Sequence, residues 1–174
     1  MDKPAVSASK ACSKAGTQKA MRKTIAIIQG HSITLNEDGS VEWDSKGAVD
    51  DDGSGGNAWG DPDFQPSTSF RQDGQSLNAE TENYVVVPPA VLEGVAPIVL
   101  GCQAEVSYGG KTVQAVVGDI GPHAKLGENS VALYRALGLL DSPLSGGVDS
   151  GMHTKIWPGT PAIANGKTYT LQPS

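Results

Sequence analysis

The sequence predicts a mainly β protein: a closed barrel of six to seven strands with one short helix and long loops. Three observations lead to this fold class. The 174 residues are enough for one domain, and they include 22 glycines and 11 prolines, which favours tight turns between short strands. Short β-branched runs alternate with turn sequences along the chain. One segment only has a helical pattern with both caps, and closing the strands into a barrel leaves no exposed sheet edge.

The first strands are predicted on either side of a hairpin turn. Residues 24–28 are rich in β-branched side chains. Residues 32–35 and 40–43 flank the sequence Asn36-Glu37-Asp38-Gly39, which is typical of a turn between two antiparallel strands. These segments therefore form the first part of the predicted barrel.

The segment from Asp44 to Asn78 has no clear periodicity. A loop of this length within one domain is usually functional or disordered. Because Trp59, Phe64 and Phe70 lie in it, and a disordered segment would rarely keep so many aromatic residues, we predict an ordered functional loop.

The second half of the chain contains clearer signals. Strands are predicted at residues 84–87, 99–108, 111–117, 160–164 and 167–171. Pro88-Pro89 ends the first of them. Gly109-Gly110 and Asn165-Gly166 are turn dipeptides that join the other four into two hairpins. The helix is predicted between a cap at Asn129 or Ser130 and a stop at Gly138.

The net charge of −6 is unevenly distributed. Residues 1–23 carry six Lys or Arg and one acidic residue, so we predict a basic flexible tail there and a single barrel domain over residues 24–174. The domain holds 7 basic and 18 acidic residues, which disfavours nucleic acid and anionic membranes as partners. We expect a monomer. The apolar run Ile25–Ile28 is too short for a signal-peptide core or a membrane span.

Asp119 and Glu128 are the best candidates for chemistry. A buried strand is predicted to end at Asp119, a turn rich in Gly and Pro follows, and Glu128 stands just before the helix cap. Two carboxyl groups held beside small residues fit glycoside hydrolysis, where one protonates the leaving oxygen and the other activates water or attacks the sugar. Structural roles fit the same spacing: Asp119 as an acceptor of turn amides, and Glu128 as a charge favourable to the helix N-terminus.

The same region resembles a known family. The residues that carry the resemblance are Gly118-Asp119-Ile120-Gly121-Pro122, Lys125, Gly127-Glu128 and Ser130, supported by residues 50–53, 60–62, 65, 68, 77–79, 84–89, 136–138 and 145–147. In this order they resemble the family 75 glycoside hydrolases, which are endo-chitosanases. The resemblance extends from about residue 33 to residue 171 and leaves only the tail outside it.

The resemblance implies an activity, a fold and a site. The activity is inverting hydrolysis of β-1,4-linked glucosamine polymers, and the fold is a barrel of the double-psi type. The essential carboxylates map onto Asp119 and Glu128, with Glu128 assigned as general acid and Asp119 as general base. An inverting pair should lie about 6.5–9.5 Å apart. The family also implies an extracellular protein, although we find no secretion signal in this sequence.

A cleft lined by carboxylates would concentrate a cationic polysaccharide such as chitosan. The candidate substrate-binding residues are Asp50, Asp52, Asp61, Tyr84, His123 and Lys125, with Asp51, Asp63, Trp59 and Phe64 as further candidates. Ordinary roles are open for each of them, since acidic residues are mostly solvated and aromatic residues are natural core residues. Lys125 is expected to pair with Asp119 and keep it ionised, or else to be exposed.

The sequence predicts no metal site and no cofactor. Five residues match positions of a calcium-binding loop: Asp50, Asp52, Ser54, Gly55 and Asp61. No helices flank this segment, however, and acidic substrate subsites explain it better. His31, His123 and His153 lack the spacing of a zinc site. A bridge between Cys12 and Cys102 stays an open alternative.

Two other functions remain as alternatives. The first is a related aminosugar hydrolase that acts on peptidoglycan or partly acetylated chitin. The second is a non-catalytic, expansin-like carbohydrate-binding module that uses the barrel groove without cleavage. A binding module would not need both Asp119 and Glu128, so it should keep its affinity when both are neutralised.

Overall fold

Short strands make up most of the regular structure. The computed structural model describes residues 22–94, 97–122 and 125–173. Its strands are β1 (Lys23–Ile28), β2 (His31–Leu35), β3 (Val41–Asp50), β4 (Arg71–Gln72), β5 (Gln75–Ser76), β6 (Tyr84–Val87), β7 (Cys102–Tyr108), β8 (Lys111–Ile120), β9 (Glu128–Ser130), β10 (Val148–Pro161), β11 (Ile163–Ala164) and β12 (Lys167–Thr168). Its helices are α1 (Pro89–Gly94) and α2 (Val131–Leu137).

Six strands close into a barrel in the order β3, β10, β7, β8, β6 and β9, and β9 pairs back onto β3. The β3–β9 and β6–β8 pairings are parallel. The other four are antiparallel, so this is not an up-and-down barrel, whose neighbours are all antiparallel. The predicted mainly β fold with a closed barrel and long loops is confirmed. Outside the ring, β1 and β2 extend the sheet from the first residues of β3.

The hydrophobic core fills the barrel. Buried residues alternate with more exposed ones along β3 and β7, as expected for strands with one face inward. All four residues of β6 are buried, which is typical of a strand covered on both faces. The largest fully buried side chains include Phe70, Tyr84, Tyr134 and Tyr169. The strands that carry Asp119 and Glu128 therefore flank a fully buried strand.

β3 and β10 are longer than the sequence indicates. β3 continues to Asp50, into the segment predicted as loop. The sequence does not predict this part of the strand because its inward positions include Ser45 and Gly47, which do not produce a hydrophobic alternation. β10 has 14 residues, of which the sequence predicts only the end. Its pairing with β3 shifts register between Val148 and Met152, and this irregularity disturbs the period-two pattern.

Both helices have recognisable ends. α2 follows Ser130, whose Oγ accepts a hydrogen bond from Leu133 N at 3.3 Å, and it ends at Gly138, where φ is 75°. α1 is not predicted from the sequence; it begins at Pro89, which suits the first turn of a helix. Glu128 lies on β9, two residues before the cap Ser130, and so stands just before the helix cap as the sequence predicts.

Some predictions concern residues that the structure does not describe. The predicted tail lies outside the described residues except for Arg22 and Lys23, and Cys12 also lies outside them. Cys102, its possible partner, is buried at the start of β7. Within the described ranges, none of the helices has the length and apolar character needed to cross a membrane.

Candidate active site

A cleft of about 630 Å³ opens where β3, β6, β8 and β9 meet the loop that follows β3. Six carboxyl groups line it: Asp50, Asp52, Asp61, Asp63, Asp119 and Glu128. Ile120, Pro143 and Leu144 add apolar surface. Lys125 is the one basic side chain among the described residues of the lining. The cleft is therefore strongly acidic, with an apolar part.

Asp119 and Glu128, which we call the carboxylate pair, are brought together by β6. Val86 of β6 pairs with Asp119 on one side and with Glu128 on the other, so the three residues form a row across the barrel wall. Neighbouring strands lie about 4.8 Å apart, which places the two outer Cα atoms of this row roughly 9–10 Å apart. Side chains in one row of a sheet project from the same face, and the carboxyl groups of Asp119 and Glu128 both line the cleft.

Asp119 is held by three hydrogen bonds to one oxygen. Its Oδ1 accepts from Ser69 N at 2.8 Å, from Ser69 Oγ at 2.6 Å and from Ile120 N at 2.8 Å. Asp119 is buried, and these donors fix the position of its carboxyl group. Ser69 lies on the long loop after β3, so this loop helps to build the site.

Glu128 forms an ion pair with Lys125, and its carboxylate lies close to the backbone of Gly121. Lys125 Nζ lies 2.5 Å from Glu128 Oε1. The expected pairing of Lys125 with Asp119 is therefore not found among the described residues. Lys125 pairs instead with Glu128, which follows it by three positions in the chain. A Cβ added at Gly121 would lie 2.9 Å from both Glu128 Oε2 and Val86 Cγ1. Gly121 therefore leaves the space that the Glu128 carboxylate occupies.

Asp50, Asp51 and Asp52, which we call the aspartate triplet, stand at the end of β3. Burial raises the pKa of the Asp50 carboxyl to about 8, and the charges of Asp52 and Asp119 add to the increase. Burial also raises the pKa of Asp51 to about 6, with the charges of Asp61 and Asp52 adding to it. The pKa of Asp52 is raised to about 6, mainly by burial. Each group resists ionisation in its present surroundings.

Tyr84 contacts two residues of the triplet. Its ring is fully buried, which corresponds to the core role that the sequence leaves open for it beside substrate binding. Its hydroxyl lies 3.0 Å from Asp50 Oδ2 and 2.9 Å from the carbonyl oxygen of Asp52. Burial and the neighbouring Asp50 raise the pKa of this phenol, so it stays a hydrogen-bond donor.

The other predicted substrate-binding residues are found in different places. Asp61 lines the cleft, and its Oδ1 accepts a hydrogen bond from Asp63 N at 2.9 Å. Trp59 packs against the core, and its Nε1 donates to Glu80 Oε1 at 2.6 Å. His123 lies outside the described residues.

Three site residues are missed by the sequence analysis. Ser69 has no signal there, since its contact with Asp119 joins residues 50 positions apart. Val86 is predicted only as part of a buried strand. Gly121 belongs to the motif around Asp119, and the proline that follows it, Pro122, is the local signal of a tight turn there.

Comparisons with known proteins give little similarity. No protein-family model and no curated protein matches the chain. Among solved structures, the chain is similar to Streptomyces papain inhibitor (SPI), with 27% sequence identity and a TM-score of 0.36, covering 48% of this chain and 77% of that chain.

Proposed function

We propose that the protein is an endo-acting, inverting glycoside hydrolase that cleaves β-1,4 linkages in chitosan. One observation carries the proposal: Asp119 and Glu128 occupy one row across three strands, on either side of Val86, and both line the same cleft. In an inverting mechanism the two carboxyl groups would stand about 6.5–9.5 Å apart, so that water attacks from the face opposite the leaving group. The resemblance to the family 75 chitosanases supports the same pair.

The charge of the cleft supports a cationic substrate. Its six carboxyl groups are accompanied by a single lysine among the described lining residues. Glucosamine units carry ammonium groups below their amine pKa, so this surface would attract the polymer and orient it. A neutral polysaccharide would gain nothing from this charge.

The roles within the pair follow the family pattern. Asp119 acts as general base, and the three hydrogen bonds to its Oδ1 hold the carboxyl group in place. Glu128 acts as general acid, which requires a proton on its carboxyl group. Lys125 Nζ lies against Glu128 Oε1 in the free protein, so the leaving-group oxygen of the substrate would have to take the place of this ammonium group.

A second substrate class is favoured by one observation. The apolar residues Ile120, Pro143 and Leu144 line the acidic cleft, and Ile120 and Leu144 are among the exposed large hydrophobic side chains. An N-acetyl group would fit such a surface, whereas an ammonium group would not. Partly acetylated chitin or peptidoglycan is therefore the alternative substrate.

The proposal is tested by product analysis on the full-length protein. Chitosans of graded acetylation, chitin oligomers and peptidoglycan are incubated in parallel, and new reducing ends are measured together with their anomeric form by proton NMR. We expect most new ends from glucosamine-rich chitosan, released first as the α-anomer. Release of the β-anomer would rule out inversion. Binding of these polymers without any cleavage would rule out the hydrolase and indicate a non-catalytic carbohydrate-binding module.

A further inference from the structure

The three carboxyl groups of the aspartate triplet have no cationic partner in the described part of the chain. One carboxylate oxygen from each of Asp50, Asp51 and Asp52 lies within 4.8 Å of the others. No salt bridge between described residues includes any of the three. Their hydrogen-bond donors in this region are neutral: Asp52 N, Gln65 N and Tyr84 Oη. These donors orient Asp50 and Asp52 without cancelling their charge.

Asp51 is an independent indication of a ligand at this place. Its side chain is only 3% exposed, unlike the solvated acidic side chains of an ordinary surface loop. Its Oδ2 is buried and has no hydrogen-bond partner among the described residues. Burying a carboxylate oxygen is strongly unfavourable unless a donor or a cation compensates. Since Asp51 contributes to the cluster of oxygens, a cation bound there would supply that compensation.

We propose that the aspartate triplet binds one divalent cation of the calcium class. The cluster consists of carboxylate oxygens and holds no imidazole or thiolate, which suits a hard cation over zinc or copper. Two oxygens on opposite sides of one calcium ion lie roughly 4.6–5.2 Å apart, so all three oxygens can contact the same ion. Calcium accepts irregular geometry, whereas magnesium demands a near-ideal octahedron that three consecutive aspartates would form with difficulty.

The site differs from the calcium loop considered in the sequence analysis. In that pattern the ligands come from alternate residues, starting with Asp50 and Asp52. Here the intervening residue, Asp51, supplies the buried ligand. Asp61 is a neighbour of Asp51 and is available as a further ligand. A bound cation would tie the end of β3 to the loop that carries Ser69. This inference does not depend on the proposed hydrolase activity.

Calcium binding is measured on the full-length protein after treatment with EDTA and removal of the chelator. Isothermal titration calorimetry with calcium chloride should show one site with a dissociation constant below about 1 mM. The thermal unfolding midpoint should rise with calcium. It should rise less with sodium chloride at the same ionic strength. Absence of calorimetric binding, or an equal rise with sodium chloride, would overturn the proposal.

Two variants and one control locate the site. Asp51→Asn, which keeps the size of the side chain, should weaken calcium binding at least about tenfold. Asp63→Asn changes an exposed acidic residue of the same loop and should leave the affinity unchanged. Circular dichroism establishes that each variant is folded. If Asp51→Asn does not fold, Asp52→Asn takes its place. Calcium affinity equal to wild type in the folded triplet variant would overturn the proposal.

Discussion

The carboxylate pair lines the same cleft as Asp50 and Asp52 of the aspartate triplet, but the pair and the triplet have opposite surroundings. Asp119 receives three hydrogen bonds and Glu128 an ammonium group, all from the chain itself. The triplet has no cationic partner among the described residues, and burial raises the pKa of each of its carboxyl groups. The pair is thus complete within the fold, whereas the triplet requires a proton or a cation from outside.

The difference follows from where the residues stand in the barrel. The pair lies on two strands that flank β6, so neighbouring loops and turns can donate to both carboxylates. The triplet lies where β3 leaves the barrel, and the backbone there presents three consecutive carboxyl groups. Acidic residues close together in one fold can therefore have either their own hydrogen-bond and ion-pair partners or none among the described residues.

The largest expected effect is the loss of activity in the carboxylate pair. Asp119→Asn and Glu128→Gln should each lower kcat on chitosan at least about 100-fold, because each removes a group that transfers a proton. Asp52→Asn, in the triplet, should change kcat less than about tenfold and act mainly on KM. The exposed Asp149→Asn serves as the control for the amide substitution. A loss in Asp52→Asn as large as in Asp119→Asn would make the triplet part of the catalytic machinery.

The second prediction concerns stability against pH in the presence of a chelator. The pKa of Asp50 is raised by burial from 3.8 to about 8, so between these values the folded protein holds a proton that the unfolded chain has released. The free energy of unfolding should therefore fall as pH rises through this window, by at most about 1.4 kcal/mol per pH unit for this group. Urea unfolding at pH 5 and pH 8, both in the presence of the chelator, measures this decrease in the free energy of unfolding.

A matched variant assigns that pH dependence to the triplet. Asp50→Asn removes the titrating group, so its unfolding free energy should vary less between the two pH values. An increase in wild-type stability with pH, as for carboxylates paired with cations, would show that the triplet is already balanced in the chelator.

A smaller effect is expected from the backbone beside Glu128. Gly121→Ala should lower kcat about tenfold, since its methyl group would lie 2.9 Å from Glu128 Oε2 and displace the carboxylate. Gly94→Ala is the control, because an added Cβ there meets nothing within 4 Å. Equal activity in the two variants would mean that Glu128 adjusts without loss.

The smallest expected effect is in the support of the triplet. Tyr84→Phe removes the hydroxyl that contacts Asp50 Oδ2, and it should cost about 1 kcal/mol of unfolding free energy with little change in kcat. Tyr108→Phe, on β7, is the matched control. Chemical unfolding of both variants measures the loss of unfolding free energy. A large fall in kcat for Tyr84→Phe would contradict the prediction and indicate that the triplet takes part in the reaction.

Local signals account for the parts of the fold that the sequence predicts. The Gly109-Gly110 turn and the caps of α2 depend on residues a few positions apart, and they are found where expected. Most of β10 and the second half of β3 are not predicted, because a register shift and small inward residues obscure their alternation. Such strands are specified by their neighbours in the barrel.

The same distinction holds for the candidate site. Asp119 and Glu128 are identifiable because they stand in one short motif with Gly121. The contact of Ser69 with Asp119 joins distant parts of the chain, and no local pattern marks it. The burial of Asp51 also escapes prediction, since a run of aspartates is typical of a solvated loop.

The parallel pairing of β3 with β9 has a consequence for the order in which the molecule forms. Three residue pairs close the ring, from Ala48 with Glu128 to Asp50 with Ser130. The two residues of each pair lie about eighty positions apart in the chain. Contacts of such separation carry a high entropic cost and form slowly. Glu128 is brought to its place by this same pairing. Recovery of activity during refolding should therefore lag behind the hairpins and report the moment when the ring closes.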